Sequence, residues 1–344
     1  MSVIENEFAA VEETGTLGVL GLKRAWSQFT AARKGVNLRR DKEEWQINRT
    51  IIYTLGLGLE QTIQYVYKNA PTFEEFEAWI NTTVGGVDPV QVARINAMIN
   101  GTEYPQEIKD LIKSIEEHEP VLTDEDLRAW DENGYVVLHN AVTPEECKNS
   151  ENAIWTHLGA SADDPESWYR QKNNGIMVQF FQHPAFTAVR SSKRIHKAFA
   201  QLWGTADLWR TTDRCGFNVP ERPGWTFQGP DMHWDVSIKL PVPFGTQGIL
   251  YLTDTLPEQG AFTLVPGFHK KIDKWIASLP EGTNPREENL HALGSKPLGG
   301  KAGDLIIWHH ALPHGSRPNR AEKPRIVQYI DMYPTKVEVQ DEWI

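Results

Sequence analysis

Residues 303–316 read GDLIIWHHALPHGS, from Gly303 to Ser316, and set a turn, a short apolar run and three imidazoles side by side. Gly303-Asp304 marks the turn, and Leu305 to Trp308 read as a buried strand. Successive strand residues face opposite ways, so His309 continues the Leu305/Ile307 face and His310 the Ile306/Trp308 face. Pro313 breaks the ladder and leaves His314 at the strand end beside Gly315. Periodicity alone keeps both His309 and His310 open as chemical groups.

The same texture extends outward from this strand. Beyond about residue 205, CGFNV, SIKLPV, GILYLT, AFTLV, DLIIW and RIVQYIDMY are separated by Gly/Pro turns, the pattern of a β-sandwich or barrel. Upstream, Thr123 and Asp126 cap a helix stopped by Asn133-Gly134, Tyr135 to Leu138 read as a strand, and Thr143-Pro144-Glu145-Glu146 opens another helix ending near Gly159. Residues 1–120 read as a helical N-terminal extension, divided from residues 121–344 by the charged, proline-ended SIEEHEP. In TFEEFEAWI, Thr72 caps a helix whose Phe73, Phe76, Trp79 and Ile80 share one face. GLGLE at 56–60 lacks the third glycine and the preceding strand of a dinucleotide loop and reads as helix or loop backbone.

Composition narrows the function classes. Apolar residues make up 40% and charged residues 24% of 344, as in ordinary folded chains. Lys and Arg total 35 against 46 Asp and Glu, a formal charge of −11, which disfavours nucleic acid and anionic membranes as partners. Two cysteines, Cys147 and Cys215, give no disulfide framework or cysteine metal site. With no basic-plus-apolar leader in MSVIENEFAAVEE and no targeting tripeptide in DEWI, a cytoplasmic location is expected.

The chemistry points to Asp231-Met232-His233-Trp234-Asp235. In an extended segment His233 and Asp235 share a face and can reach one ion, while Trp234 turns away. One carboxylate and two imidazoles form the ligand set of non-haem Fe(II) oxygenases, with positions left open for a co-substrate and O2. The third ligand must then come from the cluster at 309–314.

From about Thr123 to Pro334 the chain resembles the phytanoyl-CoA dioxygenase family of Fe(II)/2-oxoglutarate oxygenases. The resemblance rests on LTDEDLRAWDENGYVVL, the HWD triplet, EQGAFTLVPGFHK and GDLIIWHHALPHGSRPNRAEKPR, in the family's order. It implies a mainly β fold with helices: a double-stranded β-helix (jelly-roll or cupin-like) core buttressed by helices, in addition to the helical extension. It implies His314 as the distal ligand beside His233 and Asp235, with His309 and His310 as strand residues. It also implies that Arg325 pairs with the C5 carboxylate of 2-oxoglutarate and that Ser316 bonds the same end, a role that suits a guanidinium fork. Arg325, Val327, Tyr329 and Asp331 share one face of their run, which aims Arg325 inward. Tyr251 is a further co-substrate candidate, and Gln179, Asn218 and Trp234 are substrate candidates, although parity turns Trp234 from the metal.

The implied reaction uses Fe(II), 2-oxoglutarate and O2 to oxidise, by hydroxylation first, an aliphatic C–H of a small-molecule metabolite, releasing succinate. Asp235 keeps the carboxylate that related halogenases lack. The rivals are an oxygenase for a carrier- or protein-tethered substrate, a non-catalytic ligand-binding relative, and a metal-dependent hydrolase. The helical extension is open to three roles: capping the pocket, extending the core, or forming a homodimer interface.

Overall fold

The computed structural model describes residues 8–36, 41–170, 175–340 and 342–344. Residues 1–7 and Asp341, within the two terminal stretches read for targeting, lie outside the described residues. The chain divides into two compact units, Met1–Glu117 with Trp209–Asp213, and His118–Leu208 with Arg214–Ile344.

The first unit is helical: α1 (Leu22–Arg33), α2 (Lys42–Thr54), α3 (Leu59–Asn69), α4 (Phe73–Val84), α5 (Pro89–Asn100) and α6 (Gln106–Glu116). Thr72 and Glu75 form a reciprocal capping box at the start of α4. Phe73, Phe76 and Ile80 are buried on its inner face, and Trp79 stacks on Tyr65 at 4.0 Å. Glu77 is buried too, its charge met by the Thr16 amide and hydroxyl at 2.8 and 3.0 Å and the Leu17 amide at 2.9 Å. Gly58 is the N-cap of α3, so GLGLE is helix-start backbone. Sequence reading places residues 209–213 with the β-rich part; the structure places them here, where the Trp209 ring lies 3.9 Å from the Arg94 guanidinium carbon.

The second unit contains α7 (Asp124–Asn133), β1 (Tyr135–Leu138), α8 (Pro144–Leu158), β2 (Met177–Val178), α9 (Pro184–Arg190) and α10 (Lys193–Trp203). β3 (Leu208–Arg210) runs over the boundary between the units, and after it come β4 (Cys215–Asn218), β5 (Thr246–Tyr251), β6 (Phe262–Leu264) and α11 (Ile272–Ser278). The chain ends with β7 (Lys296–Leu298), β8 (Leu305–His309), β9 (His314–Gly315), β10 (Arg325–Tyr329) and β11 (Met332–Pro334). Capping boxes at Thr123 and Thr143 start α7 and α8, and left-handed Gly134 and Gly159 end them.

One antiparallel sheet runs β1-β8-β5-β10-β4-β2 and a second runs β7-β6-β9. Alternation along the large sheet sends Ile249, Tyr251, Ile306, Trp308 and Val327 to one face, where they pack with Phe262 and Leu264 of the small sheet. Each fully buried aliphatic or aromatic side chain in this layer contributes about 1.5–3 kcal/mol. The sheets therefore face each other across one core, and the site lies at its edge.

Two expected strands differ. SIKLPV forms none: Pro241 and Pro243 withhold ladder donors, and the stretch is irregular up to β5. RIVQYIDMY divides into β10 and β11, with Ile330 and Asp331 outside both and the Asp331 carboxylate accepting the Thr246 hydroxyl at 2.9 Å.

Candidate metal centre

His233 lies in an irregular segment, yet its backbone is fixed. Its amide donates to the His314 carbonyl at 2.8 Å, and the His314 amide returns a bond to the His233 carbonyl at 2.9 Å. On its other side His314 is registered against Leu264 of β6. Gly315 makes the approach possible: a Cβ there would stand 2.7 Å from the Asp231 carbonyl oxygen. The two imidazole centroids are 4.8 Å apart.

Each ring spends its Nδ1 on the backbone, His233 on the Asp231 carbonyl at 2.6 Å and His314 on the Leu312 carbonyl at 3.1 Å. A carbonyl only accepts, so Nδ1 carries the hydrogen and Nε2 of the neutral ring offers a lone pair. Both Nε2 atoms face Asp235, at 3.3 Å from Oδ1 for His233 and 3.1 Å from Oδ2 for His314. One ligand atom from each of the three residues lies within 4.8 Å of the others. Two lone pairs and a carboxylate converge, and only a cation or added protons reconcile them. This donor set suits a divalent first-row metal.

The electrostatics agree. Burial alone would raise the Asp235 carboxyl, but hydrogen bonds and charge from His233 and His314 outweigh it and hold the group far below the usual carboxylate range. Burial pulls His233 down, whereas the Asp235 hydrogen bond and charge reverse that and leave it raised. The His314 side chain is 5% exposed and that of Asp235 49%, so the centre opens on the carboxylate side.

Arg325 starts β10 with no exposed surface. Its Nη1 donates to the Gly260 carbonyl at 2.7 Å and to Ser316 Oγ at 3.0 Å, while Nε and Nη2 are buried without a partner. Among the described residues no carboxylate pairs with it. A buried guanidinium with idle donors is costly unless an anion completes it. Ser316 lies two residues beyond His314, roughly 7 Å along an extended chain. A five-carbon dicarboxylate can bridge that span.

The remaining sequence candidates are placed differently. Tyr251 is fully buried, with its hydroxyl donating to the Leu298 carbonyl at 2.6 Å and accepting from the Phe262 amide at 3.0 Å; burial pushes it up to about 12. Its one hydrogen is thus committed to the backbone. Asn218 is the cross-strand partner of Arg325, buried, and donates to the Arg317 carbonyl at 3.0 Å, bracing the loop around the guanidinium. Trp234 does not face the centre: it is buried against Phe268 and Trp275 and donates to the Ala311 carbonyl at 3.0 Å, as its parity requires. Gln179 is exposed, one residue past edge strand β2, and does not join the cluster.

His309 and His310 stand apart from the triad. His310 Nε2 meets the Thr246 carbonyl at 2.6 Å. His309 lies among Trp130, Phe244 and His269, accepts the Ala311 amide on Nδ1 at 3.0 Å, and is pushed down to about 3 by burial, then by His269 and His310. The native state keeps it neutral while the unfolded chain protonates it below about 6.5, so its contribution falls as pH drops from there towards 3. From pH 7 to pH 5 this one group should remove up to about 2 kcal/mol. Urea unfolding at both pH values should show a smaller loss for His309→Phe than for wild type; equal losses would refute the assignment.

Two contributors escape the sequence reading. Gln247 on β5 donates from Nε2 to Asp235 Oδ2 at 2.6 Å. Its signal was parity, since it shares a face with Ile249 and Tyr251. Arg286 donates to the carbonyls of Trp234 at 2.8 Å and Val236 at 2.6 Å, clamping the loop that carries Asp235. Nothing in the sequence near Arg286 announces this.

Residues 130–327, more than half of the chain, match the model of the phytanoyl-CoA dioxygenase (PhyH) family. The chain belongs to that family. As a phytanoyl-CoA dioxygenase family member it is an Fe(II)- and 2-oxoglutarate-dependent dioxygenase, with O2 as the further co-substrate. A Dictyostelium discoideum protein named for phytanoyl-CoA dioxygenase is 21% identical over 59% of this chain and 73% of its own. The ectoine dioxygenase of Nocardia farcinica is 24% identical over 64% of this chain and 83% of its own. HygX from Streptomyces hygroscopicus, solved with nickel and 2-oxoglutarate bound, is similar at a TM-score of 0.47 and 18% identity, over 63% of this chain and 88% of that one.

Proposed function

We propose that the second unit is a double-stranded β-helix oxygenase whose Fe(II) is held by His233, Asp235 and His314, and that it hydroxylates an aliphatic C–H of a small-molecule metabolite. The observation that carries this reading is Arg325: a fully buried guanidinium with two nitrogens, Nε and Nη2, lacking partners, tied through Ser316 to the strand that begins at His314. A dicarboxylate co-substrate supplies the missing anion.

Bound iron supplies O2 activation coupled to decarboxylation of 2-oxoglutarate to succinate. The chain does the rest. The Nδ1–H bonds of His233 and His314 fix both rings with Nε2 turned to the centre. Arg325 and Ser316 hold the far carboxylate, and Asn218 and Gly260 keep that guanidinium in place. Phe262, Trp308 and Leu264 pack against the buried side of the centre and exclude water there. All of the proposed metal and co-substrate anchors are present, which speaks against a non-catalytic relative.

Among the described residues no helix is long and apolar enough to cross a membrane, and Cys147 and Cys215 are not in a disulfide. We place the enzyme in the cytoplasm on that thiol chemistry. The test is an anaerobic titration with Fe(II) and 2-oxoglutarate, following the metal-to-ligand charge-transfer absorption, then a metabolite screen beginning with ectoine. Succinate formation and a product heavier by one oxygen support the reading. No absorption with both components, or turnover that consumes no 2-oxoglutarate, overturns it. Ser316→Ala should retain the absorption but weaken 2-oxoglutarate several-fold, as expected for loss of one hydrogen bond near a charge.

A further inference from the structure

We infer that Gln247 is a positioning residue that fixes the orientation of the Asp235 carboxylate at the metal centre; the inference rests on the metal assignment made above. Asp235 is half-exposed on an irregular loop, where a free carboxylate could rotate or offer both oxygens to a metal. Its Oδ2 accepts a hydrogen bond from Gln247 Nε2 at 2.6 Å, a bond strengthened by the carboxylate's charge.

The donor is on rigid ground. Gln247 lies in β5, registered against Trp308 of β8, and its side chain takes the inward face shared by Ile249 and Tyr251. Its Oε1 is buried with no partner. An orphaned acceptor costs about 1–3 kcal/mol, so the amide is held in this orientation by its bond to the carboxylate. The other group on Oδ2, His314 Nε2, has its lone pair committed to the ion once metal binds. Gln247 is then the donor that remains on Oδ2 and fixes the rotation of the carboxylate between the two imidazoles.

The test uses the full chain and Co(II), whose d–d absorption reports coordination number without turnover. Gln247→Met keeps the volume and removes the donor; Gln247→Asn keeps the amide but is one methylene too short to reach. Both should bind Co(II) about 10- to 100-fold more weakly, as for other partners of metal ligands, with an altered d–d spectrum and an unchanged Tm of the metal-free protein. Unchanged Co(II) affinity and spectrum in either folded variant overturns the role, as does loss of fold in both, which would make Gln247 a structural residue. A wild-type protein that takes up no Co(II) refutes the metal assignment itself, an outcome distinct from variants that match a binding wild type.

Discussion

His314→Ala is expected to abolish the Fe(II)/2-oxoglutarate charge-transfer absorption and all succinate formation, while His309→Ala and His310→Ala keep both. The three residues lie within six positions, but only His314 has its Nε2 at the Asp235 carboxylate, 3.1 Å away. His309 and His310 are occupied by the Ala311 amide and the Thr246 carbonyl. Removing one of the three proposed ligands leaves two donors, so affinity should collapse rather than decline. The fold should survive, because His314 is tied to His233 and β6 through its backbone, which alanine retains. Anaerobic titration together with a thermal melt checks both halves. An absorption that persists in His314→Ala and vanishes in His309→Ala would reassign the ligand.

Arg325→Met carries the second large effect, and its two consequences have opposite signs. Truncating the partner of a buried carboxylate costs about 2–4 kcal/mol, so 2-oxoglutarate should bind about 30- to 1000-fold more weakly. Without 2-oxoglutarate the substitution removes a buried, half-paired charge, and stability should hold or rise. Wild-type Tm should climb with added 2-oxoglutarate and metal, and the variant's should not. Arg325→Lys should not rescue, since a point charge on a flexible stem cannot bond Gly260, Ser316 and a carboxylate together. A methionine variant with wild-type co-substrate affinity would place the dicarboxylate elsewhere.

The helix starts were legible because caps are local chemistry: Thr72, Thr123 and Thr143 each announce their boxes within four residues. Strands with clean apolar runs, such as Leu305–His309, were legible for the same reason. SIKLPV misled because its apolar content exceeds its capacity to donate, with prolines at 241 and 243. Parity correctly turned Trp234 into the core. It could not choose among the three histidines, because the choice depends on a bridge between residues 233 and 314 that no local pattern encodes. Arg286 is invisible for the same reason: its acceptors at Trp234 and Val236 are 52 and 50 residues away.

That bridge also bears on how the centre tolerates sequence change. The two imidazoles are spaced by main-chain amides, whose dimensions are the same whatever side chains flank them. Substitutions at Met232 or Pro313 can alter packing or solubility without changing the bite offered to a metal. The weak point is the absence of bulk at Gly315, where a single added methyl would press on the Asp231 carbonyl and spread the two imidazole-bearing segments. The span between the ligands is in that sense written in the peptide unit, and its tolerance is written in one glycine.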